Sequence, residues 1–351
     1  MNLNNQTKIW LILVTLWMIN GSSFLAIKVA IDTIPPLLSA GLRFGIAGAV
    51  LFSLYYIQLY RKNSKDKSTD VKNISLVTAA TDTEQSRLII PKEIITLRQW
   101  KDSLILGLTL FLGGQGLLTW GTQYLSSGMA GLLNSTIPLW VAILGYAIFR
   151  WLKKGSIGQN LSKMTIVGLA CGFVGLMLLV GPSIGSGEMD PVGVTALMIS
   201  SISWAIGSIY STKAQLPVSI LASSGMIMIT GGLMLTAVSF FFGEYKSADL
   251  MQISIQSLLA QIYLIVIITI VGFTDFYYLL RMTSASLANT FAYVSPVIAV
   301  LLGWAILKED LTIMTIIAMT VILFGVALMV TKKKMKAKES SKIAMKNDNE
   351  K

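Results

Sequence analysis

The sequence predicts an all-α membrane protein: ten transmembrane helices arranged as two inverted five-helix repeats, with both termini in the cytoplasm. Three observations predict it. First, 54% of the 351 residues are hydrophobic and only 13% are charged, where a soluble domain carries about 25% charged residues; the mean hydropathy is +0.69. Second, apolar runs near 20 residues long, the length that crosses a bilayer as a helix, recur along the chain. Third, segments of the first half reappear in the second half in the same order.

The spans fall at 9–30, 37–60, 103–125, 129–149, 164–182, 192–210, 219–242, 257–280, 286–307 and 312–331. The first follows Lys8 without a small-residue cleavage site and reads as a spanning helix, not a secretory signal. Pro35-Pro36, Gly181-Pro182, Pro191 and Pro217 punctuate the gaps, because proline and glycine mark turns. The third and fourth spans, and the eighth and ninth, are joined by very short turns. Residues 1–182 form the first repeat, 183–331 the second, and 332–351 a basic tail. The segment 61–101, polar and mixed in charge, reads as a disordered cytoplasmic loop.

Charge sets the orientation. Residues 61–101 hold nine Lys/Arg and five acids, and the tail after Thr331 holds eight Lys and three acids. Most of the net charge of +11 therefore sits in two hydrophilic segments; it does not describe a nucleic-acid surface. With both termini inside, 24 of the 28 Lys/Arg are cytoplasmic, and only Lys28, Arg43, Lys246 and Lys308 lie at outer positions. Positive residues favour the inner face.

The repeats follow from three alignments. "LSKMTIVGL" at Leu161–Leu169 matches "LTIMTIIAM" at Leu311–Met319, which also places Gly175 on Gly325. Pro138 aligns with Pro296, bringing Gly145 onto Gly303. Gly21-Ser22 aligns with Gly207-Ser208; a shift of two residues then puts Gly41 on Gly225 and Gly48 on Gly232. Each half thus holds five spans, and an odd number means that the second half enters the membrane from the opposite side, a construction common in secondary transporters. The charge before the fifth and tenth spans agrees: Arg150, Lys153, Lys154 and Lys163 accompany Gln159-Asn160 in the inner copy, whereas Glu309-Asp310 stand in the outer copy.

Composition also excludes chemistry. One cysteine, Cys171, permits no internal disulfide, and with no histidine the usual metal ligand and neutral-pH proton switch are missing. No nucleotide-binding glycine loop, catalytic triad or intramembrane pair of carboxylates is present. The expectation is a non-enzyme without cofactor or metal.

The stretches "NGSSFLAIKVAIDTIPPLLSAGLRF" (20–44), "SSGMAGLLNSTIPLW" (126–140), "SWAIGSIYS" (203–211) and "YYLLRMTSASLANTFAYVSPVIAVLLGWAILKEDLT" (277–312) together resemble the EamA-type proteins of the drug/metabolite transporter superfamily. The resemblance covers the chain apart from 61–101 and the tail. It implies a ten-helix inverted-repeat carrier, in many cases an exporter of amino acids or other small metabolites. The chain departs from that pattern in three places. Asn20 stands where a Trp usually precedes the Gly-Ser pair, with Trp17 about one turn earlier. Gln159 stands where a Glu is usual, and 61–101 is longer than the usual connection.

The candidate functional residues are the polar groups at membrane depth. Asp275 is the only acid inside a span, and a carboxylate in lipid normally faces a cavity or a partner; it is the candidate for coupling protons, with a solvated inner-mouth carboxylate or a partner of Arg281 as the plainer reading. Arg43 matches the arginine of the resemblance. It would attract a substrate carboxylate or phosphate, or simply snorkel to the outer headgroups. Lys28, near its helix end, reads as an interface anchor. Asn20, Gln115, Asn134 and Asn289 would line a cavity or bond across helices. The resemblance places the helices of Asn134 and Asn289 around the central cavity. Trp140, Trp204 and Tyr293 are the aromatic wall candidates, since aromatics nearer helix ends belong to the interface belt. The function expected is export of small polar or amphipathic metabolites, such as amino acids, across the cytoplasmic membrane by alternating access. The partners are a small solute, the lipid bilayer and, if coupled, protons. Multidrug or cation efflux and a non-transporting receptor or scaffold are the alternatives.

Overall fold

The computed structural model describes residues 3–74, 95–152, parts of 166–178, 190–247, 252–272, 275 and 291–325. The described residues with regular structure are helical. We number the helices α1 (Leu3–Ala30), α2 (Pro36–Ile74), α3 (Leu97–Thr122), α4 (Ser127–Asn134), α5 (Ile137–Leu152), α6 (Pro191–Ser211), α7 (Ile220–Phe241), α8 (Ile255–Val271), α9 (Phe291–Leu307) and α10 (Ile313–Gly325). Helices α4 and α5 are two parts of one span, Ser127–Ile148, and six spans among the described residues are long and apolar enough to cross a membrane. Shorter apolar helices accompany them at Ile255–Val271, Val294–Leu307 and Ile313–Gly325. Their outward faces carry exposed Leu, Ile, Val and Phe, such as Leu233, Phe241 and Ile313, the surface expected of a protein dissolved in lipid.

The segment read from sequence as a disordered loop is helical at both ends. Helix α2 continues to Ile74, because no glycine or proline interrupts the chain after Gly48. Helix α3 starts at Leu97 behind a capping box: Thr96 Oγ1 accepts from the Gln99 N–H at 3.3 Å, and Gln99 Oε1 accepts from the Thr96 N–H at 2.8 Å. Residues 75–94 between them lie outside the described residues.

Close glycine contacts define the packing. A methyl group added at Gly41 would meet Thr236; one at Gly48 would meet Ile229; one at Gly225 would meet Phe52; and one at Gly232 would touch the backbone nitrogen of Gly45. As the numbers rise along α2 they fall along α7, so these helices are antiparallel and meet backbone to backbone, the arrangement that small residues permit in membranes. The described parts of 166–178 pack on α10 in the same sense, Gly172 against Gly325 and Gly175 against Ile322. Helix α1 packs against α9 and α8, and α6 against α3 and α5.

Helices α3 and α8 share an unusual feature. Each contains π-helical turns, Gly107–Gly116 in α3 and Leu264–Val271 in α8. Each is also capped by a hydroxyl, Thr96 and Ser254 respectively. π turns are frequent at functional sites, and their shifted bonding leaves carbonyls open to other donors. In α3 those donors come from α6: Ser200 Oγ donates to Gly114 O at 2.7 Å and Ser203 Oγ to Thr109 O at 2.8 Å. In α8 the donor is internal, Thr269 Oγ1 to Leu264 O at 2.8 Å.

Candidate functional site

The connections α1–α2, α3–α4, α7–α8 and α9–α10 gather at one end of the bundle, called here the upper end. Three charged side chains tie it together. Lys28 Nζ donates to the carbonyls of Thr122, Gln123 and Leu125 at 2.9, 3.3 and 2.6 Å. A cation thus sits at the carbonyl end of α3, where the helix dipole favours it. Glu309 does the converse at the start of α4. Its carboxylate accepts from the Ser127 N–H at 2.6 Å, the Ser127 hydroxyl at 2.9 Å and the Gly128 N–H at 3.2 Å. The α3–α4 turn is therefore held from both sides. Glu244 treats α2 likewise, accepting from the Leu37 and Leu38 N–H groups and from the Ser239 hydroxyl. Lys28, read from the sequence as an interface anchor, stands half-buried at this end, and its ammonium serves orphan carbonyls. Glu309, noted in the sequence for topology, is a helix cap. At the opposite end Asp102 accepts from the Tyr210 hydroxyl at 2.8 Å and from the Gln215 N–H at 2.6 Å, joining α3 to the α6–α7 connection.

The sequence candidates lie below the upper end. Asn20 is half-buried on α1 and its amide donates to Leu16 O at 2.9 Å, within its own helix. The next residue, Gly21, touches Ile298 and the Ser295 carbonyl of α9. Ser295 Oγ is buried and has no hydrogen-bond partner among the described residues. Gln115 lies in the π turns of α3, half-buried, with Gly114 beside it pressed against Trp204 of α6. Trp204 thus lies against the backbone of α3 one residue from Gln115. Asn134 closes α4 at the break in the fourth span, and Trp140 follows it on α5; both are half-buried. Asn289 and the Tyr293 side chain lie outside the described residues, as does Arg281. Asp275 is half-buried and helical, four residues past Val271.

Arg43 is the buried cation of the site. It is 7% exposed, its Nε donates to Thr269 Oγ1 of α8 at 2.9 Å, and its Cζ lies 4.7 Å from the centre of the Phe44 ring. Phe44 in turn meets the edge of Phe111 in the π turns of α3, with ring centres 4.6 Å apart. The snorkelling alternative is corrected by this geometry, because the guanidinium is enclosed among α2, α3 and α8. Thr269, absent from the sequence candidates, has no signal in the sequence, since one threonine in an apolar run is ordinary. A hollow of about 470 Å³ lies elsewhere, beside the α9–α10 connection, lined by Trp304, Lys308, Glu309 and Asp310, and none of the candidates reaches it.

The model of the EamA-like transporter family matches the chain over residues 86–181 and 191–331. This chain belongs to the EamA-like transporter family. It is 29% identical over 317 residues to the "uncharacterized inner membrane transporter YedA" of Escherichia coli (strain K12), covering 90% of this chain and 88% of that protein. It is 27% identical over 322 residues to the "uncharacterized transporter YoaV" of Bacillus subtilis (strain 168), covering 92% and 96%. A solved crystal structure superposes with a TM-score of 0.52 at 16% identity, covering 92% of this chain and 97% of that one; this likeness concerns the fold alone. As an EamA-like protein the chain is a multi-pass membrane transporter whose surroundings are lipid and whose partner is a small solute.

Proposed function

We propose that this EamA-like protein is a secondary transporter that exports small polar or amphipathic metabolites, such as amino acids, from the cytoplasm by alternating access between two inverted five-helix halves. One observation carries the reading of the halves. In the sequence alignment Gly41 pairs with Gly225 and Gly48 with Gly232, an offset of 184. Applied to the α2–α7 contacts, that offset exchanges Gly41–Thr236 with Phe52–Gly225, and Gly45–Gly232 with Gly48–Ile229. The second alignment, Gly175 on Gly325, likewise exchanges Gly175–Ile322 with Gly172–Gly325. Antiparallel contacts that map onto themselves are what a two-fold axis in the membrane plane produces. The π turns of α3 and α8, starting at Gly107 and Leu264, match the 158-residue offset set by Pro138 and Pro296 to within one residue.

The packing supports a particular way for such a carrier to move. Helix α1 of the first half lies on α8 and α9 of the second, and α6 of the second lies on α3 and α5 of the first. The rocking bodies therefore each draw helices from both halves. Helices α2 and α7, joined through glycine, stay together at the axis. The solute path runs past Asn20, Gln115, Asn134, Trp140, Trp204, Asn289 and Tyr293. Asp275 is the group through which a proton gradient would be coupled; facilitated diffusion needs none. Both termini face the cytoplasm, as the distribution of Lys/Arg favours.

The decisive measurement is solute flux into proteoliposomes holding the purified chain, with lipid-only vesicles as the baseline. Gradient-independent, saturable counterflow supports the carrier, and ligand binding without any flux supports the receptor reading. Topology is tested in a Cys171→Ser background. Ser126→Cys should react with an impermeant maleimide from outside intact cells and Ser64→Cys should not; the reverse pattern inverts the orientation. Loss of pH-driven uptake in Asp275→Asn, with counterflow retained, assigns the coupling proton to that residue.

A further inference from the structure

Arg43 carries more than a place in the wall. Its direction can be read from two contacts between α2 and α8, which run the same way. Near the upper end, the Ser39 hydroxyl donates to Gln261 Oε1 at 2.6 Å and Gln261 Nε2 donates to Ser39 O at 2.8 Å. From that level Arg43 lies four residues deeper along α2, about 6 Å at the α-helical rise, whereas Thr269 lies eight residues deeper along α8, a greater depth even with the smaller rise of the π turns. The Arg43 side chain therefore reaches away from the upper surface and toward the middle of the bundle. This is the opposite of snorkelling, and it runs against the usual tilt of helical side chains toward the N-terminus.

Thr269 decides how the guanidinium is held. Its hydroxyl hydrogen is committed to Leu264 O across the π turn, so the oxygen meets Arg43 Nε with a lone pair. One guanidinium face lies by the Phe44 ring. Among the described residues the bond from Nε to Thr269 is the hydrogen bond that Arg43 makes, and no carboxylate pairs with it. A buried charge without a partner is costly in a membrane and is retained where something compensates it. The unused edge of the guanidinium is a planar fork of parallel donors, which fits the two oxygens of a carboxylate or phosphate.

We propose that Arg43, oriented by Thr269, is the anion-binding point of the solute path, so that the cargo of this carrier bears a carboxylate or phosphate group. The proposal takes its cargo from the transport reading; the binding itself does not depend on it. The π turns of α8 then have a purpose. They turn Thr269 toward α2 and fix the arginine that selects the solute. The same buried cation repels hydrophobic cations, which sets the site against the multidrug alternative.

The test uses the purified full-length chain in detergent, followed by thermal denaturation at constant ionic strength held with sodium chloride. Probes are sodium acetate, inorganic phosphate and L-alanine, each compared with an uncharged counterpart where one exists (acetamide for acetate, for example). A bound ligand raises the midpoint as its concentration rises. At least one anionic probe should raise the wild-type midpoint while acetamide does not, and Arg43→Met should abolish that shift. Thr269→Val should keep the shift but require on the order of tenfold more probe. Arg43→Lys, which keeps the charge without the fork, should respond more weakly than wild type, and it decides the matter if Arg43→Met does not fold. An equal shift in wild type and in the folded Arg43 variants, or no shift with any anion, overturns the proposal. Anion binding without counterflow of the bound probe would instead fault the transport reading and leave the site standing. Solute flux undiminished in Arg43→Met would do the reverse.

Discussion

The crossing of α2 with α8 and the crossing of α7 with α3 occupy corresponding places in the two sequence halves, yet they differ in chemistry. In the first, Arg43 meets Thr269, and Ser39 shares two hydrogen bonds with Gln261. In the second, the aligned positions of Arg43 and Thr269 are Ile227 and Phe111, and both belong to one apolar cluster with Met228 and Leu235. The backbone is alike in both crossings, with π turns in α3 and in α8. The contrast teaches that backbone geometry and side-chain chemistry diverge separately. The shared framework serves packing in both; what stands on one side alone is the charged side chain, since the second crossing carries only the neutral bond from the Thr230 hydroxyl to Ser103 O at 2.9 Å. A buried cation adds nothing to packing that isoleucine would not supply better.

The largest effect should come from breaking the framework common to both crossings. Gly232→Leu places a side chain against the Gly45 backbone, where even a Cβ would collide with the nitrogen. We expect a loss of about 3 kcal/mol or more, read as a collapsed melting midpoint or as no folded protein after extraction. A midpoint near wild type would mean that α2 and α7 do not meet as described.

Removing the asymmetry should have the opposite sign. Arg43→Ile copies Ile227 into the first crossing and should stabilise the empty protein by about 1–4 kcal/mol, measured by denaturation without added anion. Destabilisation of that size would show that Arg43 has a structural partner after all. Next in size is Glu309→Ala, which strips three donors of their acceptor at the upper end and should cost about 2 kcal/mol. Its hydrogen exchange should quicken first at Ser127 and Gly128. Ser203→Ala, which removes the donor to the π-turn carbonyl of Thr109, should cost about 1 kcal/mol, with faster exchange confined to α3. The smallest change is Gly45→Ala. Nothing lies within 4 Å of the added methyl, so the midpoint should hold or rise by up to about 1 kcal/mol equivalent. Set beside Gly232→Leu, it separates glycines that packing demands from one that it does not.

How much of this was legible beforehand differs from residue to residue. Span positions were readable because twenty apolar residues have few other fates, and α6 and α7 begin and end within two residues of the expected limits. The proposed repeat alignment rests on glycines, and several of them, such as Gly48 and Gly232, do stand where two helices meet closely. The helical ends of 61–101 were missed, since polar composition hides a helix that simply continues past the membrane. Asn20 was singled out for its depth, but its amide is engaged with Leu16 O. Lys28 and Glu309 were visible as charges near helix ends. Which orphan groups they serve depends on neighbours about a hundred or more residues away in the chain.

By itself, then, the sequence determined that the chain lives in lipid and marked its apolar spans, six of which stand among the described residues as helices long enough to cross a membrane, because hydropathy is a local property written along the chain. Only the tertiary structure decided which way Arg43 points, that Thr269 receives it, and that π turns interrupt α3 and α8. Those outcomes depend on which helix faces which and at what depth, and a π turn forms where neighbours such as Ser200 and Ser203 supply donors to its carbonyls. No pattern within one helix records the identity of its partner.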